Sequence, residues 1–148
     1  MNVLSAVIAG IAGTIAISMV MGLAPMMGMP KMDIVDMLST MFGKPNKVLG
    51  WMMHFMMGVM FALIYAFLWS RGLGSSNWLF GLIFGAVHWL VVGMIMAMIP
   101  IMHVGMKNGE VEAPGMWMTN QGGILAFVGS LLGHMVFGLV VTLVYNLI

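Results

Sequence analysis

Two histidines stand in the same frame, each followed by a glycine four residues on and a tyrosine eleven residues on. One copy reads His54-x3-Gly58-x6-Tyr65 and the other His134-x3-Gly138-x6-Tyr145, and these are the two tyrosines of the chain. Both copies lie in long uncharged apolar runs. A third histidine, His88, lies in another such run, and His103 stands at its end. Imidazole can carry a proton or ligate a metal. In hydrocarbon it is rare and marks a functional site by default.

Three kinds of chemistry suit these residues. Two imidazoles from parallel helices can ligate the iron of heme b from opposite faces, and a glycine one turn after each would leave room for the ring. His54, His134 and His88 are therefore candidate cofactor-binding residues. The chain also holds 22 methionines. Met94, Met98 and Met102 recur one helical turn apart, next to His103, and thioethers favour soft ions such as Cu(I) and Ag(I). The bland alternative is polar packing. Imidazole N–H groups can bond a backbone carbonyl or the hydroxyls of Thr14, Ser18, Ser130 or Thr142. Such bonds are worth well under about 1 kcal/mol in membranes, yet they fix helix register. Tyr65 and Tyr145, near the other ends of their runs, are expected to anchor at the interface. Asp33, Asp36, Glu110 and Glu112 could gather around His103. No carboxylate lies within an apolar run, and no nucleophile motif, phosphate loop or dinucleotide signature is present. No catalytic residue and no enzyme activity are expected.

The elements that must position these groups follow from composition. Of 148 residues, 62% are hydrophobic and 6% charged, whereas soluble domains carry about 25% charge. The charges sit at 31–47, 71 and 107–112. Four uncharged stretches remain, each able to hold the roughly 20 apolar residues of a membrane-spanning helix. Lipid forces the backbone to satisfy itself, so all four are expected to be helical. They run from about Val3 to Leu23, Pro45 to Ser70, Trp78 to Ile99 and Ile124 to Leu147. A short amphipathic stretch, Met29 to Gly43, should lie at the interface, and 103–123 reads as a polar, glycine-rich loop. No lysine or arginine precedes the first span, so a cleaved signal peptide is not expected. Lys31, Lys44, Lys47 and Lys107 lie on one side and Arg71 on the other. The excess of basic residues puts the lysine-bearing loops in the cytoplasm and both termini outside a prokaryotic inner membrane. Cysteine is absent, which excludes disulfides and thiolate metal sites. The net charge of +1 offers nothing to nucleic acid.

The histidine frame extends into a duplication. Ala6, Gly10, Met19, Met21 and Pro25 match Gly81, Gly85, Met94, Met96 and Pro100 at an offset of 75, and the second spans match at an offset of 80. The expected fold is all-α: one domain of four transmembrane helices, built from two tandem hairpins (1–70 and 76–148) about a pseudo-twofold axis along the membrane normal. Ala6/Gly10, Gly81/Gly85 and Gly129/Gly133 each present small residues one turn apart, a pattern for close helix contact or assembly.

Gly81-x3-Gly85-x2-His88-Trp89, Met98-Ile-Pro-Ile-Met-His103, Ala113-Pro114-Gly115 and Gly133-His134-x3-Gly138-x6-Tyr145 together resemble a family of small prokaryotic four-helix membrane proteins of unknown function. The resemblance implies the fold and no activity. The expected role is a small non-catalytic accessory or binding subunit in the lipid bilayer. It would pack as a homo-oligomer or in a larger membrane complex. A bis-histidine heme b protein or a Cu(I)/Ag(I) handler are the alternatives.

Overall fold

The computed structural model describes residues 1–148 and is all-helical, with no strands. Seven α-helices follow in order: α1 (Val3–Leu23), α2 (Ile34–Ser39), α3 (Lys47–Ser70), α4 (Trp78–Met96), α5 (Ile99–Met102), α6 (Val104–Lys107) and α7 (Gly123–Leu147). Four of them, with α1 extended through a 3-10 turn to Met27, are long and apolar enough to cross a membrane. Their starts are written locally. Asn2, Asn46 and Asn77 each cap a helix by accepting from the amide three residues on. Pro45 therefore lies just outside α3 rather than in its first turn. Pro25 falls in the 3-10 turn Ala24–Met27, and Pro100 opens the short α5 after α4 has ended at Met96.

The long helices pack in the order α3, α1, α7, α4. Backbones approach where side chains vanish. A Cβ on Gly10 would lie 2.6 Å from the Val59 Cα, and one on Gly85 would strike the His134 carbonyl. Gly13 receives the Phe137 ring and Gly133 receives Ile17, which draws α1 onto α7. The paired small residues at 6/10, 81/85 and 129/133 are buried within the chain. They serve close contact between helices of the chain, the first of the two uses that the pattern allows, and none forms an exposed assembly face. By contrast α3 and α4 meet through large side chains, with Phe61 stacked on His88 and Tyr65 edge-on to Phe84. The outward faces carry exposed Ile, Leu, Val and Met along every long helix, as a lipid-facing belt requires.

The two long loops are structured. Short α2 lies on α3 at Gly50, and α6 is tied to it by Val104 and Gly105 amides donating to the Met41 and Thr40 carbonyls. The 103–123 segment is thus no plain polar loop. Its 3-10 stretch Met116–Gln121 folds back onto α4 and α7, setting the Trp117 indole into the notch left by Gly93 and burying Met118 in the core. Trp117 and Met118 take positive φ angles of 50° and 62° to do so.

Candidate functional site

His54, His88 and His134 line one narrow cavity of about 60 Å³ in the middle of the bundle. Each ring is held by a neighbour. The Ser18 hydroxyl lies 2.7 Å from the Thr14 carbonyl and 3.0 Å from His54 Nε2. With its proton on the carbonyl, its oxygen accepts and Nε2 carries the ring proton. The Tyr65 hydroxyl lies 2.9 Å from the Phe84 carbonyl and 3.2 Å from His88 Nδ1, and in the same arrangement its oxygen accepts from Nδ1. His134 Nδ1 donates to the Ser130 carbonyl at 2.8 Å. What remains on each ring is a bare lone pair: Nδ1 of His54 and Nε2 of His88 and His134.

The cavity offers those lone pairs no proton in return. Thr14 spends its hydroxyl on the Gly10 carbonyl, Ser130 spends its own on Phe127, and Trp89 bonds to Ser130. The remaining lining is apolar or thioether: Ile17, Val92, Phe61 and Phe137, with Met21, Met57, Met96 and Met118. His88 is the most constrained ring. Phe61 stacks on it at 3.7 Å between centroids, and His134 meets it edge-on at 4.9 Å.

The other sequence-predicted residues lie elsewhere. Met94, Met98 and Met102 are 48%, 61% and 75% exposed on the outer surface, away from the histidines. His103 is fully buried. Its Nδ1 accepts from the Met106 amide at 3.1 Å and its Nε2 donates to the Met37 carbonyl at 2.8 Å, so neither nitrogen is free. The acids do not gather around it. Asp33 caps α2 and pairs with Lys31, Asp36 pairs with Lys47, and Glu110 and Glu112 are exposed. Nor is Tyr65 an interface anchor. It is buried, because its hydroxyl serves His88, whereas Tyr145 is half-buried and accepts from the Asn2 amide at 3.0 Å.

A family model matches the chain over residues 1–148. The chain belongs to DUF6789, a family of unknown function. No curated protein and no solved structure matches it. For this DUF6789 member, function has to be read from the site itself. Sequence reasoning selected the three histidines but missed the four methionines beside them and the Trp117–Met118 strap. Met21 and Met96 were visible as repeat partners. Nothing in the local pattern distinguishes Met57, which lines the cavity, from Met56, which is 64% exposed.

Proposed function

We propose that the protein is a non-enzymatic integral membrane subunit whose bundle encloses a three-histidine binding chamber. One observation carries this reading. Three imidazoles, each bonded to a neighbour through one ring nitrogen, line a common cavity whose hydroxyls are bonded elsewhere. His103, by contrast, has both ring nitrogens bonded. The chamber therefore suits a small species that accepts electron pairs or donates hydrogen bonds. A porphyrin is a poor match: small-molecule pockets run to roughly 300–1,000 Å³, and this cavity is about 60 Å³, room for a few water molecules.

The same reading takes the chain as two repeated hairpins about an axis through the chamber. Ile17 and Val92, Met21 and Met96, His54 and His134, and Met57 and Phe137 are partners at offsets of 75 and 80, and all eight line the cavity. His88 breaks the pairing, because its partner position is Gly13, where Phe137 packs instead. The lysine-bearing loops are placed in the cytoplasm and the termini outside. With its long loops folded back onto the helices, the subunit is proposed to act within a homo-oligomer or a larger membrane complex.

The test is purification in mild detergent, followed by an absorption spectrum, elemental analysis and mass spectrometry of whatever is retained. A small ligand or metal, lost in both H88F and H134F, is the expected result. A Soret band lost in His54→Ala or His134→Ala would instead establish heme b. A wild-type preparation holding neither would leave the histidines as packing groups and overturn the chamber.

A further inference from the structure

The exposed methionine row that the sequence singles out is not where sulfur meets nitrogen. The thioethers of Met57, Met96 and Met118 come from α3, α4 and the 116–121 strap to the cavity that His88 and His134 line. We propose that this cavity is a binding site for a monovalent soft metal ion, Cu(I) or Ag(I), held by His88 Nε2, His134 Nε2 and these thioethers. The assignment rests on the chamber reading above and adds its ligand.

Four observations lead there. The histidine N–H groups are already spent on the Tyr65 oxygen and the Ser130 carbonyl, the outer-shell arrangement that orients metal-binding imidazoles. His, Asp and Glu alone form no group of three suited to a metal, and the other donor atoms lining the cavity are thioethers and bonded hydroxyls. Every ligand present is neutral. A divalent ion would bring two uncompensated charges into an apolar interior, whereas a single soft charge on thioether and imidazole costs far less. The volume suits one ion and little else.

A crevice at the lysine-bearing end adjoins the cavity. It is lined by Ser18 and by the pairs Lys31–Asp33 and Lys47–Asp36, and it shares Met21 and Ile34 with the cavity. Ser18 in the crevice and His54 in the cavity lie 3.0 Å apart.

The test is titration of the purified full chain with Ag(I), and with Cu(I) kept reduced by ascorbate, against a competing chelator. One ion per chain is expected. The interior triple variant M57L/M96L/M118L should bind at least about tenfold more weakly, and the outer triple M94L/M98L/M102L should bind as wild type. Equal losses in both triples, no loss in the interior one, or no binding to wild type would each overturn the site. Should the interior triple fail to fold, X-ray absorption of the Cu(I)-loaded wild type decides. A mixed sulfur and nitrogen shell is expected, and a shell of nitrogen and oxygen alone, or of sulfur alone, refutes it. If these ions fail while another ligand is retained through His88 and His134, the metal assignment falls and the chamber stands. Retention of nothing removes both.

Discussion

Tyr65 shows how one hydroxyl can set the state of a ring. Its proton goes to the Phe84 carbonyl, which obliges it to accept from His88. Tyr65→Phe removes that acceptor and should cost about 0.5–1.5 kcal/mol. Circular dichroism would show this as a lower melting temperature with unchanged helicity, and the His88 ring 15N resonances should shift to a mixed tautomer. The carboxylate of Asp33 works outside the spans. Burial opposes its charge, but hydrogen bonds from Lys31 and from the Asp36 amide prevail and hold it below its ordinary value of 3.8. A depressed carboxyl stabilises the fold fully above its unfolded value, and that contribution is lost as pH falls through the lower folded one. Amide protection over Ile34–Ser39 should therefore drop in acid below about pH 3.8, and should not drop in D33N, where a neutral cap replaces the charged one. The histidines were legible because imidazole in an apolar run is costly enough to stand out. Their tautomers were not, because they depend on which neighbour each ring meets: the Ser18 and Tyr65 hydroxyls for His54 and His88, and the Ser130 carbonyl for His134.

At the scale of the helix, the glycines decide which surfaces meet. Gly85 has the His134 carbonyl where a Cβ would go, while Gly22, on the same kind of helix, has nothing within 4 Å. Gly85→Ala should cost about 1–3 kcal/mol as α4 is pushed off α7. Gly22→Ala should be neutral, or stabilising by up to about 1 kcal/mol through helix propensity. Thermal unfolding of the two variants in one detergent makes the comparison. The four long helices were readable almost to the residue, because an uncharged stretch of that length has one way to satisfy its backbone in lipid. The 103–123 segment was not. Its course depends on two consecutive left-handed residues, Trp117 and Met118, which neither composition nor periodicity announces. The strain is offset by Trp117 filling the Gly93 notch and packing beside Trp89 and Phe127.

For the molecule as a whole, orientation is the sharpest open question with a simple answer. The chain has no cysteine, so a single introduced one reports without background. Lys107→Cys should react with a membrane-impermeant maleimide only after cells are opened, and Arg71→Cys in intact cells. The reverse pattern would invert the proposed topology and turn the crevice of Asp33 and Asp36 to the outside. The spacing suggests a duplication, yet the two proposed halves are not packed as equals, since α1 lies tightly on α7 while α3 and α4 are separated by their aromatic rings. The Asn2 amide and the Tyr145 hydroxyl, 3.0 Å apart, carry a further consequence. They bring the start and finish of the polypeptide together at the end where the 71–77 turn also lies, joined there by Asn146 and Ser76. A circularly rearranged gene, opened within that turn and bridged across the old ends, would thread the bilayer in the same sense and rebuild an identical interior. Helix order along the chain would then be interchangeable, because proximity at one rim leaves the architecture indifferent to it.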